Sequence, residues 1–351
     1  MPQWYPDEDP KRTLRKWVVD RRTEGWSIWR IFLRKGVYSR STISCVAQAG
    51  SRTGCRYRAA RIKIYAGTIR CALRLLVASA PDLASMTQRE ALLRIADWEE
   101  AGTFGGRPAM RCGDLVLVTI ADLHLYHDSV DRETEAELGT RPELVVFLSK
   151  HRSESRTPSL TVHPLGNFGP ADYGGRPATL VPTAPDFMTQ VLRGVQREAA
   201  GLGYAVTFEA THHGPLVGVP AFFLEAGSTE TEWRDTRAAE ALARAILGAR
   251  PRGGALAIGV GGGHYVPRLT DVALARDVAF GHLVAGYAVP LLSEAMVDQV
   301  VACTPGARIV YFHRKAIEKS TLHRLEAAFA ARGIESAREA DLAPLTPQQS
   351  Y

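Results

Sequence analysis

The chain is poor in cysteine: five in 351 residues (Cys45, Cys55, Cys71, Cys112 and Cys303), with no C-x-x-C pair. That scatter excludes a disulfide scaffold and a cysteine-based zinc finger, and fits a reducing compartment. Long hydrophobic runs are missing too. No stretch approaches the roughly 18 apolar residues of a membrane-spanning helix. The first thirty residues mix Asp7, Glu8 and Asp9 with Arg and Lys and lack the apolar centre of a secretory signal. A cytoplasmic protein without membrane attachment is expected. Nucleotide signatures also fail: GVGGGH at 259–264 breaks G-x-G-x-x-G at its last position and no G-K-[ST] follows, so no nucleotide cofactor is expected. No internal repeat and no Pro- or Ser-rich linker interrupts residues 71–345.

What is present is an ordinary globular balance, 46% hydrophobic and 23% charged, which excludes a wholly disordered or fibrous chain. The net charge of +6 hides a split. Residues 1–70 hold 16 Lys and Arg against five Asp and Glu, while the remainder is net acidic. Four of the six tryptophans precede residue 30, and all ten histidines follow residue 120. Three readings of residues 1–70 stand side by side: a start codon assigned too early, a disordered basic tail, and an RNA-binding arm in which 11–35 forms a basic helix with interleaved aromatics. Residues 71–345 read as one elaborated catalytic domain, and 346–351 as a tail.

From residue 71 the pattern is regular. Short apolar runs at 73–79, 115–120, 144–148, 204–208, 219–224, 255–260 and 308–312 read as buried strands. Helical spacing covers 86–95, 130–138 (closed by Gly139), 185–201, 293–302 and 317–332. Thr229 with Glu232 forms a capping box that opens a long helix through Leu247. Near-continuously apolar strands alternating with helices argue an α/β fold with a mostly parallel sheet.

Several apolar runs stop at a histidine: His151 after LVVFL, His163 after Leu160–Val162, His212 and His213 after YAVTF, His264 after three glycines, His282 after Val278–Phe280, and His313 after IVYF. In open α/β sheets ligands bind outside the carboxyl ends of strands, so these imidazoles can meet. Many imidazoles beside a few carboxylates suit zinc, which takes neutral His nitrogen and carboxylate oxygen and keeps one position for water. Glu209 and Glu225 follow strands and stand where a general base is needed. His124, His127 and His323 read as structural or surface residues.

At these residues the chain resembles the archaeal and plant type of D-aminoacyl-tRNA deacylase, through SKHRSES (149–155), TVHPLGNFG (161–169), EATHHGP (209–215), FFLEAGSTETEW (222–233), GVGGGHYVP (259–267) and AFGHL (279–283). The resemblance implies a three-layer α/β/α fold with a mostly parallel mixed sheet, of the phosphorylase and peptidyl-tRNA hydrolase kind. It also implies a zinc-dependent hydrolase that cleaves the ester between a D-amino acid and the 3′ end of tRNA. It marks the motif histidines and the two glutamates as site residues without sorting their roles.

The working assignment gives His151, His163, His213, His264 and His282 to one or two zinc ions, and Glu209, Glu225 and His212 to catalysis. Lys150, Arg152, Arg156 and Arg176 are candidates for the phosphates of the CCA end. Lys150 stands where the family is expected to carry Arg, which keeps the charge but loses the bidentate fork. Residues 1–70 have no expected counterpart. A monomer is expected. Two competing classes remain open: a zinc exopeptidase or amidohydrolase on small substrates, and a non-catalytic RNA-binding protein.

Overall fold

The structure is a computed structural model that describes residues 16–19, 27–33, 43–49 and 73–346. The chain divides into two compact units, Met1–Cys71 and Ala72–Tyr351. In the first, β1 (Lys16–Val19), β2 (Ser27–Leu33) and β3 (Ile43–Ala49) form an antiparallel sheet in that order. The basic helix considered for 11–35 is thus corrected. KWVV and SIWRIFL are β-branched and aromatic, and such residues fit a pleated surface better than a helix. Of residues 1–70, read as a disordered tail or an early start, and of the tail 346–351, all but 16–19, 27–33, 43–49 and Thr346 lie outside the described residues. No helix among the described residues is long and apolar enough to cross a membrane.

The second unit holds an eight-stranded and a four-stranded sheet. The larger contains β4 (Arg74–Ser79), β5 (Glu99–Phe104), β6 (Arg107–Cys112), β7 (Leu115–Ile120), β8 (Leu144–Arg152) and β9 (Ser159–Pro164). A small ribbon, β10 (Gly166–Asn167) with β11 (Thr179–Leu180), follows, before β12 (Ala205–Phe208) and β13 (Ala221–Ser228) complete the larger sheet. Its order is β12-β9-β13-β8-β4-β7-β6-β5. The pairs from β13 through β8 and β4 to β7 are parallel, as is β12 with β9, but β9 and β13 run antiparallel. The smaller sheet, β14 (Ala255–Val260), β15 (Val278–Val284), β16 (Ile309–Phe312) and β17 (Glu335–Ala337), is parallel throughout. The mostly parallel α/β reading therefore holds, with the strands split between two sheets.

Helices α1 (Leu83–Ile95) and α2 (Val130–Leu138) come early; α3 (Pro185–Glu198), α4 (Glu230–Trp233), α5 (Thr236–Gly248), α6 (Pro267–Ala275), α7 (Glu294–Ala302) and α8 (Lys319–Ala330) follow. Leu76, Val146, Phe222 and Leu224 pack on α3 and α5 through Val191, Leu192, Leu242 and Ile246. The opposite face, with Val77, Val145, Phe147 and Phe223, is covered by Leu165, Val181, Val217 and Val219 from long loops. Ile258, Val260, Val310 and Phe312 of the smaller sheet pack on α7 and α8.

Local chemistry sets the helix boundaries. Asp82 caps α1 by accepting from the Ser85 N–H at 2.9 Å. The capping box at Thr229 and Glu232 forms, but it opens the single-turn α4. The long helix starts afresh at Thr236, because the Asp235 side chain accepts from the Arg237 N–H and acts as a second cap. The β5–β6 hairpin was not legible in the sequence, since EEAGTF and RPAMRC are mostly exposed and lack apolar alternation.

Register is what places the site. Phe222 and Phe223 are both fully buried on opposite faces of β13. A slip of one residue would exchange Leu224 with Glu225 and bury charge against α5. Within β13, Gly227 pairs with His151 of β8, and a Cβ there would overlap the His151 carbonyl.

Candidate active site

The antiparallel seam between β9 and β13 brings His163 opposite Phe223 and Thr161 opposite Glu225. His151 comes from β8 alongside. After β12 the segment 209–213 is clamped by three backbone hydrogen bonds, from Glu209 N–H to Val162 O, Ala210 N–H to His264 O and Thr211 N–H to Leu283 O. One short segment thus ties the edge of the larger sheet to the smaller sheet and to the glycine loop that carries His264. His213 adopts φ 45°, a left-handed conformation that costs a non-glycine residue about 1–3 kcal/mol and is held by its surroundings.

Glu209 is the centre of the cluster and is fully buried. Its Oε2 accepts from His264 Nε2 at 2.8 Å and lies 3.7 Å from His212 Nε2. Its Oε1 is 3.0 Å from His151 Nδ1, yet off the line of a hydrogen bond, so that oxygen has no hydrogen-bond partner. Glu225, also buried, stands 3.5 Å from His151 Nδ1 and 3.6 Å from His163 Nε2. Burial opposes ionisation of both carboxyls, but the flanking imidazoles outweigh it and hold both well below the usual carboxylate range. The same two carboxylates overcome burial at His151 and push it up to about 11.

His212 and His213 behave in the opposite way. Burial, reinforced by neighbouring imidazoles, holds His212 far below its ordinary value and His213 down to about 3, so both are neutral.

Three groups of side chains bring a potential ligand atom from each member within 4.8 Å of the others: His163 with His212 and His213, Glu209 with His212 and His264, and His151 with Glu209 and Glu225. In the first group each ring Nδ1–H donates to a backbone carbonyl, of Pro164 at 3.1 Å, Ala210 at 2.8 Å and Gly214 at 2.7 Å. In the neutral rings of His212 and His213 such bonds fix the tautomer and leave Nε2 as the free lone pair, the arrangement typical of metal-binding histidines. At His163 the carboxylates of Glu225 and Glu209 overcome burial and raise the pKa, so its Nε2 is available to a metal once that ring gives up its proton. His163 Nε2 is buried without a hydrogen-bond partner. The donor set, nitrogen and carboxylate oxygen with orphaned buried atoms, fits a divalent zinc ion.

The structure brings together seven of the eight residues assigned to metal or catalysis. His212, assigned to catalysis, sits in two of the three ligand groups. His282 does not join them. It is buried on β15, where its Nδ1 bonds the Thr211 hydroxyl at 3.0 Å, and among the described residues it belongs to no ligand group. His151, His163 and His282 lie inside strands rather than beyond them; neighbouring apolar residues hid this in the sequence.

Above the cluster opens a cleft of about 1110 Å³ lined by Lys150, Arg152, Arg156, Tyr173 and Trp233, among others. Arg176 is exposed and does not line it. Lys150 Nζ stands 5.5 Å from the Trp233 ring centre, and the Trp233 indole N–H donates to the His151 carbonyl at 2.8 Å. Sequence reasoning passed over Tyr265, 2.9 Å by its hydroxyl from His151 Nε2, and Tyr287, 3.3 Å by its hydroxyl from His264 Nδ1. Tyr265 was findable, because it directly follows His264. His124 is buried, with Nε2 bonded to the Leu148 carbonyl at 3.1 Å, and it too lines the cleft.

A family model described as D-aminoacyl-tRNA deacylase matches residues 138–337. Curated proteins of that name resemble the chain over most of its length. The one from Thermococcus kodakarensis is 35% identical over 273 residues, which is 76% of this chain and 100% of the relative. That from Pyrococcus horikoshii is 35% identical over 75% of this chain and 98% of the relative. That from Methanosarcina mazei is 36% identical over 76% and 92%. Among solved structures, the crystal structure of a conserved protein of unknown function superposes with a TM-score of 0.72 at 29% identity, covering 77% of this chain and 98% of that one.

Proposed function

Since the chain belongs to the D-aminoacyl-tRNA deacylase family, we propose that it hydrolyses the ester joining a D-amino acid to the 3′-terminal ribose of tRNA, in the cytoplasm, with zinc as its cofactor. The observation that carries this reading is the buried Glu209 carboxylate, flanked by His151 and His264 beside three mutually close imidazoles, in a cleft whose lining includes Lys150, Arg152 and Arg156.

His163, His212 and His213 would hold one zinc ion through their Nε2 atoms. When bound, zinc supplies a Lewis acid that polarises the ester carbonyl and acidifies water. The chain's own residues do the rest. Glu209 is ionised, and Oε1, the oxygen without a hydrogen-bond partner, accepts a proton from the attacking water as its hydroxide adds to the ester carbon. The bond from that carbon to the ribose oxygen then breaks, and Glu209 returns the proton to the departing ribose hydroxyl. His264 orients the carboxylate through its 2.8 Å bond. Glu209 and Glu225 keep His151 protonated, and its charge offsets part of theirs. Lys150, Arg152 and Arg156 hold backbone phosphates at the cleft wall. The body is net acidic, so this local patch rather than overall charge attracts the RNA.

The test is turnover of D-aminoacyl-tRNA by the purified chain, against L-aminoacyl-tRNA, a free D-aminoacyl ester and a dipeptide. Preferential release of D-amino acid from tRNA is expected. Cleavage of the dipeptide with the charged tRNA left intact would replace this reading with an exopeptidase.

A further inference from the structure

Among the described residues, four large hydrophobic side chains are substantially exposed: Tyr126 (57%), Tyr173 (65%), Tyr287 (61%) and Leu291 (45%). A single exposed hydrophobic residue needs no explanation. The placing of the tyrosines does, because all three stand on loops or short 3-10 turns, in the cleft lining or next to residues of it. Tyr173 lines it. Leu125, which also lines it, packs its carbonyl so closely on Gly174 that a Cβ there would overlap it, with the Tyr126 ring 3.4 Å from the same point. Tyr126 and Tyr173 therefore share one lip. Tyr287 stands beside His264, which lines the cleft too, with its hydroxyl 3.3 Å from His264 Nδ1. Leu291 approaches Gly169, in the loop that leads to Tyr173.

We propose that Tyr126, Tyr173 and Tyr287 form a stacking platform for the unpaired nucleobases next to the scissile ester at the 3′ end of the RNA. The proposal rests on the deacylase reading for the identity of the RNA. Three features select this occupant over a protein surface. All three aromatic residues are tyrosines, each with a flat π-face and a hydroxyl content in water. The cleft beside them carries Lys150, Arg152 and Arg156, together with Glu154 and Glu230, and cationic side chains with neighbouring aromatics are how single strands are held. The ester of an aminoacyl-tRNA, moreover, sits on an unpaired end whose bases are free to leave their stack.

The test uses the full chain and an uncharged RNA hairpin ending in unpaired CCA, with 2-aminopurine replacing the terminal adenine; a blunt hairpin of the same stem is the control. The unaltered chain should quench the 2-aminopurine and bind the CCA hairpin more tightly than the blunt one. Tyr173→Ala and Tyr126→Ala should each weaken binding by about five- to a hundredfold, the usual loss per stacked base, and lose the quenching. Tyr173→Phe should retain both. Equal affinity and quenching in the alanine variants overturn the proposal, as does equal binding of both hairpins by the unaltered chain. Binding of a protein partner that depends on these tyrosines while the RNA is ignored also overturns it. Turnover of D-aminoacyl-tRNA is measured separately, so failure of the deacylase reading appears there and failure of stacking appears in the hairpin assay.

Discussion

Glu209 Oε2 accepts a hydrogen bond from His264 Nε2 at 2.8 Å, across 55 positions of sequence. The pair joins the strand edge of one sheet to the glycine loop of the other. A buried carboxylate persists only where it is paired, and here the imidazoles of His151 and His264 flank it.

Glu209→Gln keeps the shape and removes the base. Turnover of D-aminoacyl-tRNA should fall by about 10²–10⁴, the usual worth of a positioned general base, with the far-ultraviolet circular dichroism unchanged. Normal turnover by the Glu209→Gln variant would remove Glu209 from the mechanism.

Zinc removal should abolish turnover, and added zinc should restore it. Free zinc at about a hundred times its dissociation constant should stabilise the fold by about 2.7 kcal/mol through mass action, visible as a rise in Tm. His163→Ala combined with His213→Ala should lose that rise and the corresponding metal in elemental analysis. Full activity in verified metal-free protein would contradict the zinc reading.

Salt dependence reports the phosphate contacts. Each phosphate released should lower the slope of log affinity against log salt by about 0.7–0.9. Lys150→Ala, Arg152→Ala and Arg156→Ala together should flatten the slope by about two units in a binding titration. Arg176→Ala, outside the cleft lining, should leave the slope as it was.

Gly227 and Gly248 make a matched pair. A Cβ on Gly227 would overlap the His151 carbonyl, so Gly227→Ala must part β13 from β8, at a cost of about 1–3 kcal/mol and with loss of activity. A Cβ on Gly248, the last residue of α5, meets nothing within 4 Å. Gly248→Ala should stabilise by about 0.4–1 kcal/mol, chiefly by restricting the unfolded chain. Denaturant midpoints distinguish the two.

Burial holds His282 down to about 3, against about 6.5 when unfolded. The folded value is depressed, so the unfolded chain binds the extra proton. Stability from this group is complete above pH 6.5 and is lost as pH falls towards 3, with a slope of up to about 1.4 kcal/mol per unit. In metal-free protein, His282→Asn should remove that component from the acid-unfolding curve.

Much of the fold was legible because buried parallel strands leave continuous apolar runs: LVLVTI and LVVFL became β7 and the start of β8. The β5–β6 hairpin was not, since its exposed edge carries no such pattern. The break between α4 and α5 turned on Asp235 capping a new helix, a competition that periodicity does not reveal. In the site, clustering of His151, His163, His212, His213 and His264 followed from histidines interrupting apolar runs. His282 obeyed the same pattern and joins no ligand group, because it lies within β15 of the smaller sheet rather than at the β9–β13 seam.

Residue type and local pattern by themselves determined the α/β class, the family motifs, and the imidazole and carboxylate chemistry, because hydrophobic periodicity and metal-ligand preference are properties of short segments. Only the tertiary structure decided which imidazoles share a space, that Glu209 rather than Glu225 holds the middle, and that tyrosines from distant loops come near one cleft. Those outcomes depend on strand order, register and the antiparallel turn of β9 against β13, which are settled when remote segments pack against one another.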